Sequence, residues 1–308
     1  MSSITVDPKK LLEAGAHFGH KTSRWHPAMR PFIHSKRGGN HIIDLTMTAA
    51  HLEVALEAVT KAVAGGGKVL VVSTKRQAVD SIQRLADDTN SPFVVNRWLG
   101  GMLTNQNTIG GRVKHLKRLE ERMASGELAA KYGKLEVQRY EEEIEEMNTL
   151  YGGIKDMPAK PAILFVVDIL HDSIAVKEAQ KLNVPVMGLV DTNGDPRTIS
   201  HPVPCNDDAL KTIELVCDYV KQAIELGKSQ QKAAQPDPSS VPPEVSAKKP
   251  AVAEAKPAPK SDIPEVSAKK AEPVSDIPAV SAKKLEAKEE PKEEAKAKVE
   301  TKSEKKGE

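Results

Sequence analysis

The 308-residue sequence predicts an α/β fold in which a parallel sheet is flanked by helices. Apolar runs at 68–73, 162–167 and 184–190 are rich in Val, Leu and Ile and lack polar alternation, as strands covered on both faces do. Segments with apolar residues three and four positions apart alternate with these runs. This alternation is typical of consecutive β-α-β units, which build a parallel sheet.

The N-terminal elements are a short helix and a β-hairpin. Asp7 followed by Pro8 predicts a helix start, because Asp is a favoured N-cap and Pro fits the first helical position. Residues 32–35 and 41–44 are predicted to form the two strands of the hairpin. The connecting residues 36–40, Lys-Arg-Gly-Gly-Asn, place two cations at its tip, which suits a phosphate groove.

The next elements lead to a glycine-containing loop at the end of a strand. Thr46 is predicted to cap the helix that precedes the strand at 68–73, and this strand delivers Thr74-Lys75-Arg76 to the following helix. A short strand at 93–96 then leads into residues 96–107. Since open α/β sheets bind ligands at the carboxyl ends of their strands, we expect this loop to face a partner.

Residues 104–151 are predicted to form an inserted antiparallel helical hairpin with coiled-coil packing. Apolar side chains recur at spacings of three and four in both halves, as a helix pair that buries one stripe requires. The outer faces differ in charge: the first helix carries Lys114, Lys117 and Arg118, and the second carries Glu141, Glu142 and Glu145. We expect the basic arm to meet a polyanion and the acidic arm to face solvent or a basic protein.

The C-terminal part divides into a folded segment and a tail. The last two predicted strands end in Asp168 and Asp191, and Asn206-Asp207-Asp208 is predicted to cap a final helix that ends at about Gly227. We therefore place the folded domain at 1–228. Residues 229–308 consist mainly of Lys, Glu, Ala, Pro and Ser, with a repeated Val-Ser-Ala-Lys-Lys unit and no aromatic residue. Such a segment buries too little apolar surface to offset its ordering entropy, so the tail is predicted to be disordered.

Two long windows, residues 14–43 and 89–119, contain no Asp or Glu but many cations. Each window also contains one tryptophan, which offers a π face for a base, and several glycines. Basic, acid-free segments of this kind favour a polyanionic partner, and we predict RNA. The residues in or beside these windows that we predict to bind RNA are Arg24, Trp25, Lys36, Arg37, Lys75, Arg76, Arg97, Trp98, Asn105 and Arg112.

Composition excludes several other classes. The two cysteines are too few for a disulfide framework or a zinc knuckle and fit a reducing compartment. No apolar signal core and no run of 18 apolar residues is present, so we expect a cytoplasmic protein with no membrane partner. The glycines at 65–67 precede a strand, whereas the glycines of a P-loop follow one, so they are predicted to end a helix.

The sequence offers two alternatives to RNA binding. His17 and His20 could ligate a metal, but no Cys or carboxylate lies near them in sequence, so no metal site is predicted. Asp168 and Asp191 share the expected strand edge with Lys75 and Arg97, an arrangement that could hold Mg²⁺ and phosphate in a phosphotransfer enzyme. No nucleophile lies in a recognisable elbow, so we predict no catalytic residue, no cofactor and no enzymatic activity.

Several segments resemble one known family. They are Leu11 to His20, Trp25 to Ile33, Thr74 to Arg76, Arg97 to Asn105, Gly152 to Met157 and Asp191 to Asp195 together with Asn206 to Ala209. In this order, spread over residues 5–228, they are similar to the bacterial small-subunit ribosomal protein S2 family. The run Arg-Trp-Leu-Gly-Gly-Met-Leu-Thr-Asn is long enough to be highly specific.

The resemblance implies a flavodoxin-like three-layer α/β/α sandwich with a protruding helical hairpin. It also implies a structural constituent of the ribosome that binds small-subunit rRNA between head and body. A further implied role is to help dock the large mRNA-binding ribosomal protein for translation initiation, among other neighbouring small-subunit proteins. The sequence departs from the family at Cys205, where glycine is expected, and in the length of its tail.

Overall fold

The computed structural model describes residues 4–234. In chain order its strands are β1 (Phe18–Lys21), β2 (Ile33–Arg37), β3 (Asn40–Ile43), β4 (Val69–Val72), β5 (Phe93–Val94), β6 (Ile163–Val166), β7 (Val186–Val190) and β8 (His201–Pro204). Its α-helices are α1 (Pro8–Ala14), α2 (Leu45–Ala64), α3 (Val79–Thr89), α4 (Gln106–Ala124), α5 (Glu127–Lys131), α6 (Lys134–Tyr151), α7 (Ser173–Lys181) and α8 (Leu210–Ala234).

Five strands form a parallel sheet at the centre of the domain. Their spatial order is β5-β4-β6-β7-β8, and every neighbouring pair is parallel. Counted from the first strand of this sheet, the order is 2-1-3-4-5, that of flavodoxin-like folds. The predicted α/β class with a parallel sheet is therefore confirmed, as is the flavodoxin-like arrangement that the family resemblance implies.

Alternating residues of each strand face two different layers. Ile163 and Phe165 of β6 pack into a core shared with α2, α3 and α8. Leu164 and Val166 pack into a second core that includes α7 and the loop between β5 and α4. Because side chains along a strand point to opposite faces, a run that is apolar throughout is needed to fill both cores.

A second, antiparallel sheet carries the basic hairpin. Its strand order is β1-β3-β2, and the turn between β2 and β3 consists of Gly38 and Gly39. Both glycines have positive φ, at 59° and 82°, as a two-residue hairpin turn of the type I′ class requires. The predicted hairpin is confirmed, with the cations Lys36 and Arg37 on the strand that enters the turn.

The inserted helical hairpin is formed by α4 and α6, which are joined through the short helix α5. Leu116, Leu119 and Met147 are the buried residues of its own small core, and Tyr140 and Ile144 pack against them. Within residues 4–234, no helix is both long enough and apolar enough to cross a membrane.

Two strands were not predicted from the sequence. The prolines of β8, Pro202 and Pro204, obscure a strand signal, but they are tolerated because β8 is an edge strand, paired within residues 4–234 with β7 alone. The strand β1 contains Gly19, which has low β propensity. The strand forms because it pairs with β3.

Helix ends also differ in places from the prediction. Asp44, not Thr46, caps α2, since its side chain accepts a hydrogen bond from the Thr46 amide at 2.9 Å. The last helix continues past Gly227 to Ala234, so the domain boundary at residue 228 falls inside α8. The remainder of the predicted disordered tail, residues 235–308, lies outside the described residues.

Gly227 permits close packing of α8 on α2 rather than ending a helix. A Cβ atom at this position would lie 2.7 Å from the Cβ of Val63 and 2.8 Å from the carbonyl oxygen of Thr60. Nearby, the Thr60 hydroxyl donates to the Ala223 carbonyl at 3.2 Å, which links the same two helices. A glycine at this helix crossing is therefore a packing requirement.

We predict opposite effects for alanine at two helical glycines. Gly227→Ala should lower the free energy of unfolding by about 1–3 kcal/mol, because the helices α2 and α8 must separate. Gly111→Ala, on the exposed face of α4 with no atom within 4 Å of the added Cβ, should raise it by about 0.5–1 kcal/mol. Urea unfolding of the two variants measures both, and equal effects would show that the helices separate at no cost.

Candidate nucleic-acid interface

The loops that follow the parallel strands meet at one edge of the central sheet. The loop after β4 contains Thr74, Lys75 and Arg76, and the loop after β5 contains Arg97 and Trp98. The turns after β6, β7 and β8 contribute the carboxylates of Asp168, Asp191 and Asp207 with Asp208. This edge is where open α/β sheets bind ligands, so its polar groups decide what the site can do.

A single buried carboxylate organises the loop between β5 and α4. Oε1 of Glu178, on α7, accepts hydrogen bonds from Trp98 Nε1 at 3.2 Å and the Gly101 amide at 2.7 Å. Oε2 accepts from the Leu103 amide at 3.0 Å and from the Thr104 amide and hydroxyl at 3.1 and 3.2 Å. Burial alone would raise the pKa of Glu178, but these donors outweigh it and lower the pKa.

The prediction that Trp98 offers an open π face for a base is wrong. Its side chain packs in the core between the sheet and α7, the residue is only 7% exposed, and its Nε1 is bound to Glu178. The tryptophan is therefore a structural anchor of the loop. Trp25 differs, since it is half-buried and its ring lies 5.3 Å from that of His41.

Lys75 is also unavailable for phosphate, contrary to the prediction. Its Nζ lies 2.9 Å from Asp207, 2.7 Å from Asp208 and 3.4 Å from Asp168, and its side chain is 14% exposed. Burial opposes its charged form, but the surrounding carboxylates outweigh burial and raise the pKa of Lys75. A lysine held by three carboxylates contributes its charge to the fold rather than to a partner.

The environment of the same cluster shifts the pKa of its most buried acid, Asp207. Burial and the neighbouring charge of Asp168 raise the pKa of Asp207 to about 7, against the attraction of Lys75. His20 joins the cluster from β1, with Nδ1 2.8 Å from Asp191 and Nε2 3.6 Å from Asp208. The hydrogen bond to Asp191 raises the pKa of His20, although burial opposes it.

These side chains include the groups that could hold a cation. One ligand atom from each of His20, Asp191, Asp207 and Asp208 lies within 4.8 Å of the others, a set of one nitrogen and three oxygens. A bound cation would compete with the ammonium of Lys75 for Asp207 and Asp208. His17, which the sequence paired with His20, is not part of the set; its ring instead lies 4.0 Å from that of Phe18.

The carboxylates of the phosphotransfer alternative are bound within the protein. Asp168 Oδ1 accepts from the amides of Leu170 and His171 at 2.8 and 2.9 Å, which makes it the cap of a turn. Asp191 is bound to His20 and to the Thr192 amide. Both aspartates therefore stabilise the turns at the sheet edge.

Most of the remaining predicted residues are exposed cations with free head groups. Within residues 4–234 the side chains of this set make no hydrogen bond or salt bridge: Arg24, Lys36, Arg37, Arg76, Arg97 and Arg112. Asn105 is exposed as well, but its side chain caps α4 by accepting from the Thr108 amide at 3.3 Å. We call the six cations the free-cation set.

Long-range hydrogen bonds join the small sheet to itself and to the main sheet edge. The Thr22 amide donates to the Gly39 carbonyl at 2.9 Å, which holds the segment of Arg24 against the hairpin tip. The His26 amide donates to the Thr192 carbonyl at 2.7 Å, after β7. The first acid-free window is thus fastened to the loop after β7 at the edge of the main sheet.

Glu178 is the residue of the site that sequence reasoning missed. It lies on the buried face of α7 beside Ala175, Val176 and Ala179. A glutamate among apolar positions of a helix was the available signal, because a buried carboxylate requires donors. Nothing in the sequence, however, indicates which of the many amides would supply them.

Comparisons with known proteins agree with the family resemblance. A family model described as ribosomal protein S2 matches residues 11–227. Relatives named small ribosomal subunit protein uS2 include one from Opitutus terrae, 45% identical over 230 residues that cover 75% of this chain and 76% of the relative. Those from Roseiflexus castenholzii and Dehalococcoides mccartyi are each 44% identical, covering 75% and 71% of this chain and 88% and 89% of their own lengths.

We predict that Glu178→Gln loosens the loop between β5 and α4. The amide replaces one acceptor oxygen by a donor that faces N–H groups, so the free energy of unfolding should fall by about 2–4 kcal/mol. Urea unfolding followed by Trp98 fluorescence in a Trp25→Phe background measures the effect. Glu57→Gln is the matched control, since exposed Glu57 pairs with Lys61 alone in the described part of the chain. Equal losses in both variants would contradict the role of Glu178.

The cluster around Lys75 predicts a pH dependence. Asp207 and His20 both have raised pKa values in the folded state, so the folded protein binds more protons than the unfolded chain near pH 6. The contribution of Asp207 to stability is therefore fully present only below its ordinary pKa of 3.8 and declines as the pH rises to about 7, and the contribution of His20 declines as the pH rises above its ordinary pKa of 6.5. Asp207→Asn should reduce the loss between pH 6 and 8 by about 1 kcal/mol or more. Unfolding at both pH values tests this, with Asp208→Asn, at the more exposed partner of Lys75, as control.

Proposed function

Because the chain belongs to the ribosomal protein S2 family, which is structural and non-enzymatic, we propose that it binds small-subunit rRNA between head and body through its free-cation set. The family makes the chain a constituent of the small ribosomal subunit, together with rRNA and other ribosomal proteins. The single observation that carries the proposed RNA contact is that six cations, five of them in the two acid-free windows, are exposed and have no partner among residues 4–234. Cations that are not neutralised within a fold are available to phosphates.

The hairpin tip is the sharpest part of the proposed RNA surface. Lys36 and Arg37 precede a two-residue glycine turn with open space around it, so the tip is narrow enough to approach a groove. The hydrogen bond from the Thr22 amide to the Gly39 carbonyl holds the segment that contains Arg24 and Trp25 beside the tip. Structured RNA is recognised by shape, phosphates and splayed bases, and this arrangement offers contacts for each.

The helical hairpin supports contacts of opposite sign on its two arms. On α4, Lys114 and Arg118 are exposed without a partner among the described residues, whereas Lys117 is bound to Asp156 at 2.9 Å. On α6 the exposed residues include Glu141, Glu142 and Glu145. We propose that α4 faces rRNA and that α6 faces solvent or a basic neighbouring protein.

A separate surface suits a protein partner. Leu12, Phe18 and Leu210 are large apolar residues that are about half exposed, and they lie in the segments around α1, β1 and the start of α8. These segments are joined where the Asn206 amide donates to the Ala16 carbonyl at 3.0 Å. Large apolar side chains that share one exposed patch are typical of protein-docking surfaces. We propose that the large mRNA-binding ribosomal protein docks here.

Reversing the charge of the hairpin tip tests the RNA surface. Lys36→Glu with Arg37→Glu should lower occupancy on small subunits at physiological salt by tenfold or more, because two phosphate contacts become repulsive. The log–log salt slope of binding should also fall by about 1.4–1.8, from two cations at about 0.7–0.9 each. Sedimentation with small subunits over a salt series measures both quantities.

The control variant carries the same change in charge, two lysines replaced by glutamate, at positions away from the hairpin tip. Lys160→Glu with Lys181→Glu alters two exposed lysines, one before β6 and one at the end of α7, that lie outside both acid-free windows and outside the proposed docking surface. This variant should retain occupancy and the salt slope of the parent chain. If the two double variants lose occupancy equally, the hairpin tip is not a specific RNA contact.

A further inference from the structure

Three loops at the edge of the central sheet enclose a pocket of about 280 Å³. Thr74 enters it from the loop after β4, Asn96 and Arg97 enter from the loop after β5, and His171 and Ile174 enter from the start of α7. The pocket is separate from the cluster around Lys75, although both lie at the carboxyl ends of the strands. Its walls combine a guanidinium, an imidazole, an amide and an aliphatic side chain.

The floor of the pocket is held rigidly by internal hydrogen bonds. Trp98 forms part of the lining and is fixed through Glu178. Asp172 is bound by the amide and the hydroxyl of Thr74, at 3.0 and 2.7 Å. Asn96 is oriented by donation from its Nδ2 to the Thr149 carbonyl at 2.9 Å, which leaves its Oδ1 as an acceptor. A preorganised lining reduces the ordering cost that binding would otherwise carry.

The rim of the pocket retains groups without an internal partner. The Arg97 guanidinium is exposed and unbound within residues 4–234, and the His171 ring is exposed and likewise unbound. Ile174 is 53% exposed, although it lies on a helix whose neighbouring residues are buried. A cation beside an exposed aliphatic side chain and an aromatic ring is a combination suited to a ligand with both a charged group and flat apolar faces.

We propose that this pocket binds one unstacked nucleotide of rRNA, with its base between Ile174 and His171 and its phosphate on Arg97. This inference rests on the proposed RNA binding and adds that a single nucleotide is bound at this edge of the sheet. A nucleobase has two apolar faces for the aliphatic and imidazole walls, and its polar edge can reach the free Oδ1 of Asn96. Free phosphate would use only Arg97 and would leave the apolar wall without a contact. Proteins that recognise single-stranded bases use such stacking surfaces next to cations.

Site-specific photocrosslinking in assembled subunits tests the proposal. Ile174→p-azidophenylalanine in the full chain should crosslink to one rRNA nucleotide, seen as a single strong stop in primer extension. Val54→p-azidophenylalanine is the matched control, because Val54 is also an exposed aliphatic residue but lies on α2, away from the strand edge. Adding Arg97→Ala and His171→Ala to the Ile174 probe should reduce the crosslink per subunit-bound chain about tenfold, the scale of one lost stacked base, with the amount of bound chain measured by sedimentation.

The outcomes separate this inference from the proposed function. A chain that enters small subunits but crosslinks from position 174 to a protein, or to many nucleotides equally, would overturn the nucleotide pocket and leave RNA binding by the hairpin intact. A chain that does not enter small subunits would overturn both. A crosslink that persists unchanged in the Arg97→Ala, His171→Ala variant would show that the pocket walls do not hold the base.

Discussion

The surface at the strand edge depends on the hydrogen bonds that the Glu178 carboxylate accepts. A buried carboxylate is costly unless its oxygens are satisfied, and here five hydrogen bonds from one loop satisfy it. The same bonds anchor Trp98, direct Arg97 outwards and lead the chain to Asn105, where α4 begins. The position of the helical hairpin and the rim of the pocket lined by Arg97 therefore both follow from one acidic side chain on a neighbouring helix.

The cations of this domain divide into two groups by their surroundings. Lys75 is enclosed by three aspartates, so its field is cancelled close to its source. Arg76, next in sequence, is exposed and unbound among the described residues. Counting basic residues in a window cannot separate these cases, because neutralisation depends on acids such as Asp207 that lie more than a hundred positions away along the chain. The free cations lie on loops, a hairpin tip and a helix surface, where a large polyanion can reach them.

The sheet edge that often forms an active site in open α/β proteins serves here as a junction. His20 brings β1 against the aspartates after β7 and β8, and Asp168 caps its own turn. These bonds fasten the small sheet to the large one, and the basic hairpin is thereby held at a defined place on the domain. A fold of this class thus supports a binding scaffold as readily as an enzyme, because the residues at the edge and not the sheet decide the chemistry.

The sequence by itself determined the elements whose signals are local. The apolar runs that became β4, β6 and β7, the Asp7-Pro8 start of α1 and the glycine turn of the hairpin depend on propensity, periodicity and turn chemistry within a few residues. Only the tertiary structure decided what depends on distant partners. The strand β8 exists because β7 pairs with it despite its prolines, and Gly227 continues a helix because α2 lies against it. Trp98 and Lys75 were predicted as ligand contacts because their chemistry suits RNA, but Glu178 and the aspartates bind them internally, since a buried donor or charge is stable only when the fold supplies its partner.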